Sequence, residues 1–109
     1  MISLNKNKDF LKMYKRARSV VHPLVVVYCM KNRLGYSRLG ITTSKKIGNA
    51  VQRNRARRVL REALRKVEPN IKIGYDIVLV ARFKTTLCKS TQLEPVLRES
   101  LTQMMGIRN

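Results

Sequence analysis

Residues 49–67, NAVQRNRARRVLREALRKV, constrain the fold more than any other stretch. Set at about 100° per residue around a helix axis, Ala56, Val59, Leu60, Ala63, Leu64 and Val67 share one sector roughly 140° wide. Arg53, Asn54, Arg57, Arg58, Arg61 and Arg65 share a sector of about the same width that begins, at Arg53, within the edge of the apolar one, and Arg55, Glu62 and Lys66 fill the remainder. Such a helix must lay its apolar stripe on something, so the rest of the chain has to supply a hydrophobic surface. Its start and stop are also written in the sequence. Gly48-Asn49 breaks the preceding extended run, Asn49 is suited to cap the helix, and Gln52 is placed to reach back to it. The helix is expected to run to about Val67 and to end before Pro69, since a residue preceding proline is pushed out of the α region.

The arginine stripe needs a partner. Arg53, Arg57, Arg61 and Arg65 recur at i,i+4 with no acid among them, a spacing at which like charges repel. A merely solubilising face would alternate Lys with Glu and gain ion pairs instead. A polyanion reverses the sign of the repulsion, and a guanidinium fork grips two phosphate oxygens at once. Asn54 adds a neutral donor and acceptor suited to a base edge or a 2′-hydroxyl. Lys45, Lys46 and Asn49 stand at the helix N-terminus, where unpaired amides attract phosphate.

The totals agree. The chain has 109 residues, the size of one domain, with 24 Lys and Arg against six Asp and Glu, a net charge of +18 and a pI near 11. A nucleic acid is the expected partner of such a charge. A membrane is not, because no N-terminal stretch has the apolar core of a signal peptide and the longest apolar run, LVVVYCM (24–30), is too short to span a bilayer. Cys29 and Cys88 lack CxxC spacing and are expected to be reduced, half-buried residues, and His22 is the one histidine. A cytoplasmic location follows. No paired carboxylates and no nucleophile–base set are present, so no catalytic residue is assigned.

Along the chain, 7–17 reads as a short amphipathic helix with Phe10, Leu11 and Tyr14 at helical spacing. Residues 19–31 read as a strand run broken at Pro23, 32–37 as a hairpin turn, and 37–44 as a strand pairing antiparallel with the one before. YDIVLVAR (75–82) is a strand buried on both faces. Residues 92–105 repeat Leu93, Leu97, Leu101 and Met104, a helix to cover a sheet. The expected class is α/β (α+β), a two-layer sandwich in which helices pack on a small mixed central sheet, in the order αβββαβα. Residues 1–109 form a single RNA-binding domain in this reading.

SKKIGNAVQRNRARRVLRE (44–62) resembles the signature of the bacterial ribonuclease P protein component, and NKDFLKMYKRARSV (7–20), LVVVY (24–28) and YDIVLVAR (75–82) are similar to the flanking family elements. The resemblance implies a left-handed crossover at the arginine-rich helix, where general topology favours a right-handed one. It implies a protein subunit that binds a catalytic RNA and the 5′ leader of precursor tRNA and promotes endonucleolytic removal of that leader. The chemistry would belong to the RNA subunit, working with Mg²⁺ bound mainly by RNA and substrate. Lys45, Lys46, Asn49, Arg53, Asn54, Arg57, Arg58, Arg61 and Arg65 would then meet RNA, and Phe10, Tyr14 and Tyr28 would hold the leader. Stacking on aromatic rings tolerates varied sequence; the bland alternative for these three rings is the core. Rival readings are an rRNA-binding or ribosome-associated protein with no role in cleavage, a DNA-binding helix, and a nuclease acting without RNA. A DNA partner is not expected, because a strand and not a second helix precedes the arginine-rich segment.

Overall fold

The computed structural model describes residues 2–105. Its elements in chain order are β1 (Ile2–Ser3), α1 (Asn7–Arg16), β2 (Arg18–His22), β3 (Val25–Lys31), β4 (Arg38–Thr42), α2 (Ala50–Val67), β5 (Tyr75–Ala81) and α3 (Ser90–Met105). Short 3-10 turns cover Lys45–Ile47, Glu68–Asn70 and Phe83–Leu87. The expected order is therefore present, preceded by a two-residue strand that the periodicity does not reveal.

β5 organises the sheet. Asp76, Ile77, Val78 and Leu79 are all buried, as an uninterrupted apolar run with β-branched residues requires. The order is β1-β4-β5-β3-β2, mixed in direction: β5 pairs parallel with β4 and antiparallel with β3, and β1 adds parallel to β4. This corrects the expected β3–β4 hairpin. Residues 32–37 do not close a tight turn between neighbours but carry the chain across the end of β5, which inserts between the two strands. Two strand spacings are only about 10 Å, well within reach of six residues. The hairpin of the sheet is instead β2–β3, turning at Pro23-Leu24, where His22 Nδ1 accepts a hydrogen bond from the Leu24 amide at 3.0 Å.

Alternation along the strands divides the apolar residues between two faces. Val25, Val27, Cys29, Ile77, Leu79 and Ala81 pack against α2 and α3, whose Leu60, Ala63, Leu64, Leu93, Leu97 and Leu101 are almost wholly buried. All six residues of the predicted apolar sector of α2 are buried. A fully buried Leu or Val contributes about 1.5–3 kcal/mol relative to exposure, so this layer holds α2 firmly. On the opposite face α1 buries Met13 against Val78 and Leu4, with Phe10, Tyr28 and Met30 packed around them. Met13, absent from the expected helical pattern, is the most deeply buried residue of α1.

The α1 seat depends on Gly40. A Cβ there would lie 2.5 Å from Cε1 of Phe10 and 3.0 Å from the Leu4 carbonyl oxygen, so the Phe10 ring rests directly on the β4 backbone.

Candidate nucleic-acid interface

α2 begins as the sequence requires. Asn49 accepts from the Gln52 amide at 2.9 Å, and the Gln52 side chain accepts from the Asn49 amide at 2.9 Å, which completes a capping box. Gly48 (φ +142°) makes room for this, since a Cβ would collide with Gln52 Oε1. Ahead of it, Lys45 and Lys46 are exposed on a turn whose Ile47 is buried as an anchor.

With the apolar sector fixed against the sheet, the arginine sector faces outward. Asn54, Arg58, Arg61 and Arg65 are exposed, and Arg53 and Arg57 are half-buried at the root of the stripe. Those two are oriented by neutral acceptors: Arg53 Nη1 donates to the Gly48 carbonyl at 3.0 Å, and Arg57 Nη2 to Thr43 Oγ1 at 3.0 Å. The Arg38–Asp76 and Arg98–Glu94 ion pairs both lie off this stripe.

Of the three predicted leader-binding rings, two come together. Tyr14 of α1 and Tyr28 of β3 meet edge to face, with centroids 5.0 Å apart and an interplanar angle of 61°. With Thr42, Thr43, Ser44 and Val80 they line an open groove of about 360 Å³. Tyr14 is 40% exposed, and its hydroxyl stands 3.5 Å from Thr42 Oγ1, at the long end of hydrogen bonding. Phe10 stands apart from this lining, half-buried on Gly40 beneath the helix.

Thr43 belongs to both features. It lines the aromatic groove and accepts the Arg57 bond, so the cationic stripe and the groove share a border at the end of β4. The hydroxyl run Thr42-Thr43-Ser44 went unassigned in sequence reading; its position between a strand and Lys45-Lys46 is the signal that could have found it. Arg55, off the stripe, is tied down by donating Nε to the Thr86 carbonyl at 2.8 Å.

Asp76 is the other residue that sequence reading passed over. A lone acid in a doubly buried strand needs partners. It has them in Arg38, whose Nε and Nη2 donate at 2.9 and 2.6 Å, and in Asn32, whose Nδ2 donates at 2.7 Å. Burial pushes the Asp76 carboxyl up, but these hydrogen bonds and the charges of Arg38 and Lys12 outweigh it and leave it below its ordinary 3.8. The same pairing raises Arg38 further above its already high value.

The donors among the described residues do not build a metal site from protein ligands alone. Among the described residues no three of His, Cys, Asp and Glu cluster, and the Asp76 oxygens are occupied by Arg38 and Asn32. Cys29 and Cys88 are unpaired with each other and buried, more deeply than expected; burial pushes the Cys29 thiol up to about 12. No helix among the described residues is long and apolar enough to cross a membrane.

Comparison with known proteins places this architecture. The ribonuclease P family model matches residues 2–105. The "Ribonuclease P protein component" of Clostridioides difficile (strain 630) is 49% identical over 80 residues, covering 72% of this chain and 70% of that protein. The protein of the same name from Alkaliphilus oremlandii is 37% identical over 101 residues, covering 93% and 89%. Among solved structures, the Staphylococcus aureus RNase P protein superposes with a TM-score of 0.82 at 34% identity, over 99% of both chains. The Thermotoga maritima RNase P protein does so at 0.72 and 32% identity, over the whole of both. The chain belongs to the ribonuclease P protein family, the protein components of an endoribonuclease that processes the 5′ end of tRNA.

Proposed function

We propose that the chain joins two RNAs at the shared border described above. The stripe of Arg53, Asn54, Arg57, Arg58, Arg61 and Arg65, with Lys45, Lys46 and Asn49 at its head, binds the backbone of the catalytic RNA. The groove of Tyr14 and Tyr28 holds the single-stranded 5′ leader of precursor tRNA, one base stacking on the exposed Tyr14 ring at roughly 1–3 kcal/mol. Phe10 serves that groove from below by seating α1. Thr43 is the observation that carries the reading, because it accepts a hydrogen bond from Arg57 of the stripe and also lines the groove of Tyr14 and Tyr28.

Cleavage itself is assigned to RNA. Among the described residues no three of His, Cys, Asp and Glu come together, and in this reading the Mg²⁺ ions are bound mainly by the RNA subunit and the substrate. The protein's part is electrostatic and positional: neutralised phosphate lowers the repulsion between two polyanions, and a held leader fixes the scissile bond relative to the catalytic RNA. An rRNA-binding protein would share the charge, but the family match over residues 2–105 favours ribonuclease P.

The test is reconstitution with a bacterial ribonuclease P RNA, scoring leader removal from precursor tRNA at low Mg²⁺. Cleavage is expected with both components and strongly reduced without the protein. Cleavage by the purified chain with no RNA subunit contradicts the assignment of chemistry, and an unchanged rate on adding the chain contradicts the assignment of role.

A further inference from the structure

A second cationic groove lies on the α1 face of the sheet, away from both surfaces described above. It encloses about 550 Å³ between α1 and the β3–β4 connection. Its rim carries Lys12 and Arg16 from α1, Lys31 from the end of β3 and Arg33 from the β3–β4 connection, all four exposed. The acid in its lining is Asp76, already neutralised by Arg38. Asn32 locks this floor, donating to Asp76 at 2.7 Å and to the Tyr36 carbonyl at 3.1 Å while accepting from the Leu34 amide at 3.0 Å. The result is a rigid, neutral floor under four cations of one sign. Half-buried Met30 and exposed Leu34 add apolar surface, of the kind that packs on ribose.

This groove is separate from the aromatic one. Arg38 and Asp76 pair in the sheet, as do Thr42 and Val80 four residues further along. The two grooves are therefore offset along the strands by about 13 Å on β4 and β5 and by about 7 Å on β3, where Met30 lines one and Tyr28 the other. α1 also stands between them. Tyr14 is two residues from both Lys12 and Arg16, so it leaves the helix about 160° away, on the opposite flank. A strand stacked on Tyr14 and Tyr28 would have to climb over a helix roughly 10 Å across to reach the rim.

We propose that this groove is a second docking site for the sugar-phosphate backbone of the RNA subunit, independent of the α2 stripe. The proposal rests on the reading of the chain as a subunit that binds a catalytic RNA. Four cations around a fixed floor match two to four consecutive phosphates, and the helix barrier excludes the leader already placed on the other flank. The RNA subunit is then held from two sides of the sheet.

The experiment uses the full chain and a bacterial ribonuclease P RNA. The variant K12Q/R16Q/K31Q/R33Q alters exposed side chains, and its melting temperature checks that it folds. Losing two to four phosphate contacts should weaken RNA-subunit binding roughly ten- to two-hundredfold at 0.15 M salt and flatten its salt slope by about 1.4 to 3 units. At saturating protein, the ratio of affinities for precursor and mature tRNA should stay at the wild-type value. The charge-keeping variant K12R/R16K/K31R/R33K should bind near wild type. Unchanged RNA-subunit affinity and slope in the glutamine variant would overturn the proposal, leaving the rim as solvated surface. A loss confined to the precursor/mature ratio would also overturn it, because the groove would then hold leader. Failure of the wild-type chain to bind the RNA subunit or restore leader removal would instead defeat the functional reading beneath it.

Discussion

Replacing Gly40 by Ala should dislodge α1 while leaving the core layer of α2 and α3 intact. The added Cβ would sit 2.5 Å from the Phe10 ring and 3.0 Å from the Leu4 carbonyl, where ordinary contacts begin near 3.4 Å. The ring is half-buried on Met13 and Val78, so it cannot simply swing into solvent. Overpacking of this kind costs about 1–3 kcal/mol. Gly40→Ala should therefore fall in that range by urea unfolding, with an unchanged m-value. Truncating the ring relieves the clash, so the same substitution in a Phe10→Leu background should cost at least about 1 kcal/mol less. Because Tyr14 is one turn beyond Phe10, Gly40→Ala should also lower preference for precursor over mature tRNA. Additivity within about 0.5 kcal/mol in the double-mutant cycle would refute the argument, as it would show that the ring and the glycine do not meet.

Three further outcomes are expected. Asn49→Ala removes half of the capping box and should destabilise the protein by about 0.5–2 kcal/mol, measured by chemical denaturation, with Asn49→Asp largely preserving stability. Asp76 has a folded pKa below its ordinary 3.8, so its contribution is complete above about pH 4 and is lost as pH falls through the lower folded value; unfolding followed from pH 6 to pH 2 should show this acid limb, and Asp76→Asn should flatten it. Cys29, with its thiol raised to about 12 and buried, should resist iodoacetamide at pH 8 in the folded protein and react promptly in urea.

The parts of the fold legible in sequence were those set by strong local patterns. The two-sector periodicity of α2, its Asn49–Gln52 cap and its stop before Pro69 all recur in the structure, as does the double burial of β5. Strand partners were not legible. Residues 32–37 look like a hairpin loop, yet β5, from a segment distant in sequence, lies between β3 and β4. On α1, the spacing of Phe10, Leu11 and Tyr14 drew attention from Met13, yet Leu11 is 53% exposed and Met13 is almost fully buried. The resemblance groups Phe10, Tyr14 and Tyr28; in the structure Phe10 packs on Gly40, on a strand distant in sequence, while the two tyrosines line the groove. The cationic rim of Lys12, Arg16, Lys31 and Arg33 is not legible in sequence for a similar reason, being assembled by tertiary contact from two short segments with no shared motif.

The claim on which the functional account rests is that the outward arginines of α2 meet RNA phosphate. It is tested most directly by the salt dependence of binding to the ribonuclease P RNA, measured for the wild-type chain and for Arg53→Ala/Arg57→Ala/Arg61→Ala. The account predicts a slope shallower by about 2 to 3 units in the triple variant, with weaker binding at every salt concentration. Parallel lines with equal affinities would contradict it.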